Sequence, residues 1–110
     1  MNRGEQEAED ALRMLRAAVD EVKNEIQRDR GKEDVTDEDV IGVVTTVPQG
    51  EISSARYEDG METLWAWRAL ESERKTEENT NLMSRIYRGA APEAVKITRE
   101  GIDLLHARGM

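Results

Sequence analysis

The stretch AVKITREGIDLLHA, residues 94–107, carries the clearest local pattern in the chain. Apolar and polar residues alternate over residues 94–97, which is typical of a short strand with one buried face. Thr98 follows as a good N-cap residue, and apolar residues then recur at helical spacing over residues 99–107, with Gly109 beyond them. The stretch therefore predicts a strand followed at once by a helix. The residues predicted to be buried are Val95, Ile97, Ile102, Leu104 and Leu105.

A long amphipathic helix is predicted over residues 5–28, because apolar residues recur there in alternating steps of four and three. About three heptads are the threshold length for a coiled coil, so the apolar seam packs either on its own domain or against a second chain. We expect a homodimer, with residues 1–30 as its dimerisation helix. The residues assigned to the dimer contact are Leu12, Leu15, Val19, Val22 and Ile26.

The next segment begins with a helix-start pattern. Thr36 and Asp39 stand three apart ahead of an apolar run, as in a capping box. This favours a helix to about Thr46, stopped by Pro48, although the many β-branched residues make a buried strand the alternative. The residues predicted to be buried here are Val40, Ile41, Val44 and Val47.

Residues 50–53 are expected to form a short β-bridge, and Ser53 is a candidate N-cap. A short helix over residues 54–59 then turns at Gly60 into a longer helix that ends near Lys75. A single helix that keeps Gly60 inside it fits the pattern nearly as well. After it, residues 82–88 read as a helix or as a strand that pairs with residues 94–97 in a hairpin.

Charge is distributed unevenly along the 110 residues. The net charge is −8, and residues 1–52 hold 7 basic against 14 acidic residues, whereas residues 53–110 hold 9 against 10. Four basic residues fall between Arg85 and Arg99 with Glu93 as the one acid among them. The chain has no cysteine, and no apolar run approaches the ~20 residues that cross a bilayer. We expect a cytoplasmic protein that does not enter a membrane.

No catalytic constellation stands out. His106 is the only histidine, and the carboxylate groups at residues 7–10 and 37–39 lie where acids stabilise a helix start. The sequence therefore predicts no enzyme, no cofactor and no metal site. An all-helical enzyme that uses the carboxylates stays a third and unsupported class.

The element order, together with the run Val-Lys-Ile-Thr-Arg-Glu-Gly-Ile-Asp-Leu-Leu at residues 95–105 and Ala-Leu-Glu at residues 69–71, resembles a winged helix-turn-helix domain over residues 36–108. The resemblance implies a mainly α fold: a small winged-helix-like domain at residues 36–110 with an added N-terminal amphipathic helix and a short β-hairpin. It also implies a dimeric transcriptional regulator that binds double-stranded DNA. The residues expected to contact phosphates are Arg68, Arg85, Arg88 and Lys96.

The alternative function follows from the acidic first half. An acidic helical adaptor, or a protein that mimics the charge of nucleic acid, would bind a protein partner with a basic surface and would not bind DNA.

Overall fold

The computed structural model describes residues 3–31, 34–72 and 94–110. This part of the chain holds three α-helices, one 3₁₀ turn and one small antiparallel sheet, so the fold is mainly helical. In chain order the elements are α1 (Arg3–Arg30), the 3₁₀ turn (Asp37–Val40), β1 (Val44–Thr46), α2 (Ser54–Ala66), β2 (Leu70–Ser72), β3 (Ala94–Ile97) and α3 (Arg99–Ala107).

The sheet has the strand order β1-β3-β2, with both pairs antiparallel. Lys96 lies between Val44 on one side and Glu71 on the other. β3 is therefore the central strand, paired on both sides at Val95 and Lys96. The predicted hairpin joined residues 94–97 to residues 82–88. Residues 82–88 themselves lie outside the described part of the chain.

The core lies between α1, the inner face of the sheet, α2 and α3. The apolar seam of α1 is at its centre: Leu12 is 7% exposed, and Leu15, Val19 and Val22 are at most 1% exposed. Ile26 packs against the same core and is partly buried. Of the two alternatives for this seam, the structure shows packing on the chain's own domain. Leu12, Leu15, Val19 and Val22 are covered within one chain, so these four side chains are not available as a dimer contact.

The segment after α1 differs from the preferred helix. Only residues 37–40 are helical, as a 3₁₀ turn in which the Thr36 N–H donates to the Asp39 carboxylate at 3.0 Å. Residues 44–46 form β1, which is the strand alternative. Pairing with β3 stabilises the strand, because residues 44–46 are all β-branched and β-branched side chains fit a paired strand well. Val44 is consequently 43% exposed, although Val40 and Val47 are buried as predicted.

Residues 50–53 form no bridge, since the strand of this region is β1. Ser53 caps α2 as predicted: its side chain accepts from the Arg56 N–H at 3.2 Å. α2 is a single helix that keeps Gly60 inside it, and Gly60 packs against the Met14 thioether of α1. The predicted extension to Lys75 is wrong, because the chain turns after Ala66 and enters β2.

The strand and the helix predicted over residues 94–107 are confirmed. β3 and α3 have the predicted bounds, and Val95, Ile97, Ile102 and Leu105 are at most 1% exposed. Leu104 is only partly buried. The Thr98 hydroxyl caps α3 by accepting from the Gly101 N–H at 3.1 Å.

Candidate functional site

The chain reverses sharply between α2 and β2, in a segment that we call the α2–β2 corner (residues 67–69). The Ala69 N–H donates to the Leu64 carbonyl at 3.0 Å, and the Arg68 N–H donates to the Trp65 carbonyl at 3.0 Å. These are the two hydrogen bonds of a Schellman motif, which satisfies the last carbonyls of a helix. The motif needs a left-handed residue, and here that residue is Arg68, with φ of 57°.

Thr98 holds the corner against the start of α3. Its hydroxyl donates to the Arg68 carbonyl at 2.6 Å, and its backbone N–H donates to the Ala69 carbonyl at 3.1 Å. The same hydroxyl oxygen accepts the capping hydrogen bond of α3. One residue therefore ties the end of α2, the start of β2 and the start of α3 together.

Gly101 allows α3 to approach the corner closely. A Cβ at this position would lie 2.7 Å from the Ala69 carbonyl oxygen and 3.2 Å from the Ala69 Cα. Both obstacles are backbone atoms, which cannot rotate out of the way. The spacing of Thr98 and Gly101, seen in the sequence as part of a strand-to-helix pattern, thus has a packing reason.

Three basic residues belong to this end of the sheet. Arg68 lies in the corner, Arg99 follows the residue that clamps it, and Lys96 lies in β3 between Val44 and Glu71. Within the described part of the chain, Arg99 makes one long ion pair, with Asp103, 4.0 Å between nitrogen and oxygen, and both side chains are mostly exposed. Among the described residues, no carboxylate pairs with Arg68 or Lys96.

Two of the four predicted phosphate-contacting residues belong to the paired strands β2 and β3 or to the corner that precedes β2. Leu70, two residues after Arg68, pairs with Ile97, one residue after Lys96. Arg85 and Arg88 lie outside the described residues.

A second group of charges, the Asp37 cluster, was not anticipated. The Asp37 carboxylate accepts two hydrogen bonds from Arg16, at 2.9 and 3.1 Å, and one from Lys23 at 3.1 Å. His106 Nε2 lies 2.9 Å from Asp37 Oδ2, which joins α3 to the same carboxylate. Arg16 also pairs with Asp20 one turn along α1 at 2.7 Å. The cluster connects α1, the 3₁₀ turn and α3.

The electrostatics of the Asp37 cluster favour a structural role. The hydrogen bonds from Arg16 hold the pKa of Asp37 well below its usual range, and those from His106 and Lys23 add to this. The same contact with Asp37 raises the pKa of Arg16. A carboxylate that binds cations through both oxygens takes up no proton near neutral pH, so it is poorly suited to acid-base chemistry.

The sequence explained Asp37 as a helix-start acid and gave His106 a structural or incidental role. The four residues of the cluster are spread along the chain from Arg16 to His106, and no local pattern links them. Within the part of the chain that the structure describes, no three His, Asp or Glu side chains are grouped so as to hold a metal ion. None of the described helices is long and apolar enough to cross a membrane.

Comparison with known proteins gives no match. No protein-family model matches the chain, no curated protein matches it, and no solved structure matches it.

Proposed function

We propose that this protein is a small DNA-binding regulator of winged-helix type that contacts phosphates from the end of its sheet. The observation that carries the proposal is a contrast among its cations. Arg16 and Lys23 are engaged by Asp37, whereas Arg68 and Lys96 have no carboxylate partner among the described residues and lie near one rigid corner. Cations that no carboxylate of the described residues neutralises suit a phosphate backbone.

The order of elements supports the winged-helix part of the proposal. Among the described residues of 36–108, β2, β3 and α3 follow α2 in chain order, and these two strands pair antiparallel. The fold departs from the resemblance in two places. The 3₁₀ turn and β1 stand where the first helix is expected, and the single helix α2 stands where two helices joined by a turn are expected.

The exposed face of α2 indicates how such a protein would bind. Glu58 and Glu62 are exposed on it, and carboxylates are repelled by phosphates and accept hydrogen bonds from few base edges. We therefore expect contacts to the DNA backbone with little sequence preference and a strong dependence on salt.

The test is a titration of the protein into fluorescently labelled duplex DNA, followed by anisotropy at about 50 and 200 mM salt. Wild type should bind at the lower salt and lose most of its affinity at the higher one. The Arg68→Gln/Lys96→Gln variant should bind more weakly, with a slope of log K against log salt that is smaller by about two. Arg85→Gln/Arg88→Gln tests the other two predicted contacts in the same way.

The matched control is Arg28→Gln/Arg30→Gln, which removes two exposed positive charges from the last turn of α1. It changes the net charge by the same amount as the Arg68→Gln/Lys96→Gln variant but leaves Arg68 and Lys96 in place. Its affinity and slope should therefore stay close to those of wild type. Equal losses in both double variants would mean that total charge, and not this site, governs binding. No binding of wild type at about 50 mM salt would refute the regulator.

The second candidate is an acidic protein that binds a basic partner surface. Its supporting observation is the acidic face of α2 in a chain of net charge −8. A complex of labelled duplex with polylysine should then release the duplex when this protein is added. Glu58→Gln/Glu62→Gln should release less duplex than Glu21→Gln/Glu25→Gln, a control with two exposed acids on α1. Equal release by both variants would reduce the effect to net charge.

The predicted homodimer stays a prediction. With the α1 seam buried inside one chain, it would need a different surface.

A further inference from the structure

Arg68 is an exception to the way this chain builds its left-handed turns. Five described residues have φ between 57° and 81°, and Arg68 is the one among them that is not glycine. The others are Gly31, Gly42, Gly50 and Gly109. A side chain in this conformation brings Cβ close to the following carbonyl, which raises the free energy of the folded state.

The other two helices show what folding alone would select at this position. α1 is followed by Gly31 with φ of 61°, and α3 by Gly109 with φ of 72°. α3 ends in the same two hydrogen bonds as α2, from Gly109 to His106 at 3.1 Å and from Met110 to Leu105 at 2.9 Å. Position 68 thus has the geometry of position 109 but carries an arginine.

The described structure gives the Arg68 side chain no role in folding that would offset this strain. It is exposed and pairs with no carboxylate among the described residues. A cation near the carbonyl end of α2 gains a small stabilisation that salt screens. Its backbone, by contrast, is fixed firmly by the Schellman hydrogen bonds and by the Thr98 hydroxyl.

We infer that the Arg68 side chain contacts a phosphate and that its backbone is held in place for this contact. The left-handed conformation of Arg68 lowers the stability of the fold, and the binding function explains why an arginine is nevertheless found there. This inference rests on the proposed function and concerns one residue of its site. A guanidinium fits the oxygens of a phosphate with two parallel hydrogen bonds. Because the Arg68 backbone is already fixed, binding costs less conformational entropy than it would for a cation on a flexible loop. Residues in strained backbone conformations cluster at active sites and at sites that bind ligands.

The experiment combines urea unfolding with the DNA titration for Arg68→Gly and Arg68→Lys. Arg68→Gly should lower the unfolding equilibrium constant about fivefold, because glycine relieves the strain, although it also loosens the unfolded chain. The same variant should lose DNA affinity, with a salt slope smaller by about one. Arg68→Lys should keep the slope and stay as strained as wild type.

The matched control is Arg108→Gly, which removes an exposed cation from the end of α3 at a residue with φ of −95°. No strain is relieved there, so this variant should be no more stable than wild type and should bind DNA as wild type does.

Each outcome has a distinct meaning. An Arg68→Gly protein that is no more stable than wild type would overturn the strain argument. A stabilised Arg68→Gly protein with unchanged DNA affinity and slope would overturn the binding role while leaving the proposed function intact. Failure of wild type to bind DNA would remove the proposed function and the phosphate role together, and the unfolding data would still report on the strain.

Discussion

The Asp37 cluster and the α2–β2 corner use basic residues in opposite ways. In the cluster, Arg16, Lys23 and His106 surround one carboxylate, and each makes a hydrogen bond or ion pair of about 3 Å with it. At the corner, Arg68 has no such partner among the described residues, and its backbone is fixed instead. The first arrangement uses charge to hold elements together; the second holds the backbone with neutral hydrogen bonds and leaves the charge available.

This difference separates basic residues that stabilise the fold from those that can serve a ligand. Net charge alone does not make that distinction, since both regions contribute positive charges to an acidic chain. The deciding quantity is whether a carboxylate of the same chain already neutralises the cation.

The largest expected effect tests whether α1, the helix that carries Arg16 and Lys23 of the Asp37 cluster, packs its apolar seam inside one chain. Leu15→Ala should lower the free energy of unfolding by about 3 kcal/mol, because it leaves a cavity in a fully buried part of the core. The measurement is urea unfolding followed by circular dichroism.

The loss in Leu15→Ala should be the same at low and at high protein concentration, since the side chain packs within one chain. A loss that grows as the protein is diluted would restore the seam of α1 as a contact between two chains.

A smaller effect tests the corner, with two helical glycines as a matched pair. Glycine to alanine normally stabilises a helix interior. Gly101→Ala should instead lower the free energy of unfolding by about 2 kcal/mol, because its Cβ would meet the Ala69 backbone. Gly60→Ala should be close to neutral, because its obstacle is the flexible end of the Met14 side chain.

The pair is measured by thermal and urea unfolding of both variants. If Gly101→Ala proved as stable as Gly60→Ala, α3 would not be packed tightly against the corner. The fixed backbone position inferred for Arg68 would then no longer be supported.

Local sequence patterns predicted well the part of the corner that β3, Thr98 and α3 form. β3, Thr98 and α3 could be read from residues 94–107 because the alternation, the cap and the helical spacing all lie within 14 adjacent residues. The end of α2 could not be read, because no glycine marks it and the helical pattern continues past Arg68.

Contacts between distant residues limited the rest. β1 was the weaker of two alternatives, since only its pairing with β3, about 50 residues later, makes it a strand. The seam of α1 was correctly identified as apolar, but its partner could not be known from its own sequence. The Asp37 cluster had no sequence signal, because its charges meet only after folding.

The smallest effect tests the cluster through its dependence on pH. Asp37→Asn should lower the free energy of unfolding at pH 7 by about 1.5 kcal/mol, since it removes the charge that Arg16, Lys23 and His106 share. Asp34→Asn is the control, because Asp34 is exposed and makes no ion pair among the described residues.

The pKa of Asp37 is lowered in the folded state, so its contribution is fully present above the ordinary pKa of an aspartate, about 4. As the pH falls below that value, the unfolded chain takes up a proton before the folded chain does, and the stabilisation declines. The difference between wild type and Asp37→Asn in urea unfolding should therefore be constant from about pH 7 to pH 5 and shrink toward pH 3. A difference that stayed constant into acid would show that Asp37 acts through its shape and not through its charge, and the contrast between the cluster and the corner would then no longer be electrostatic.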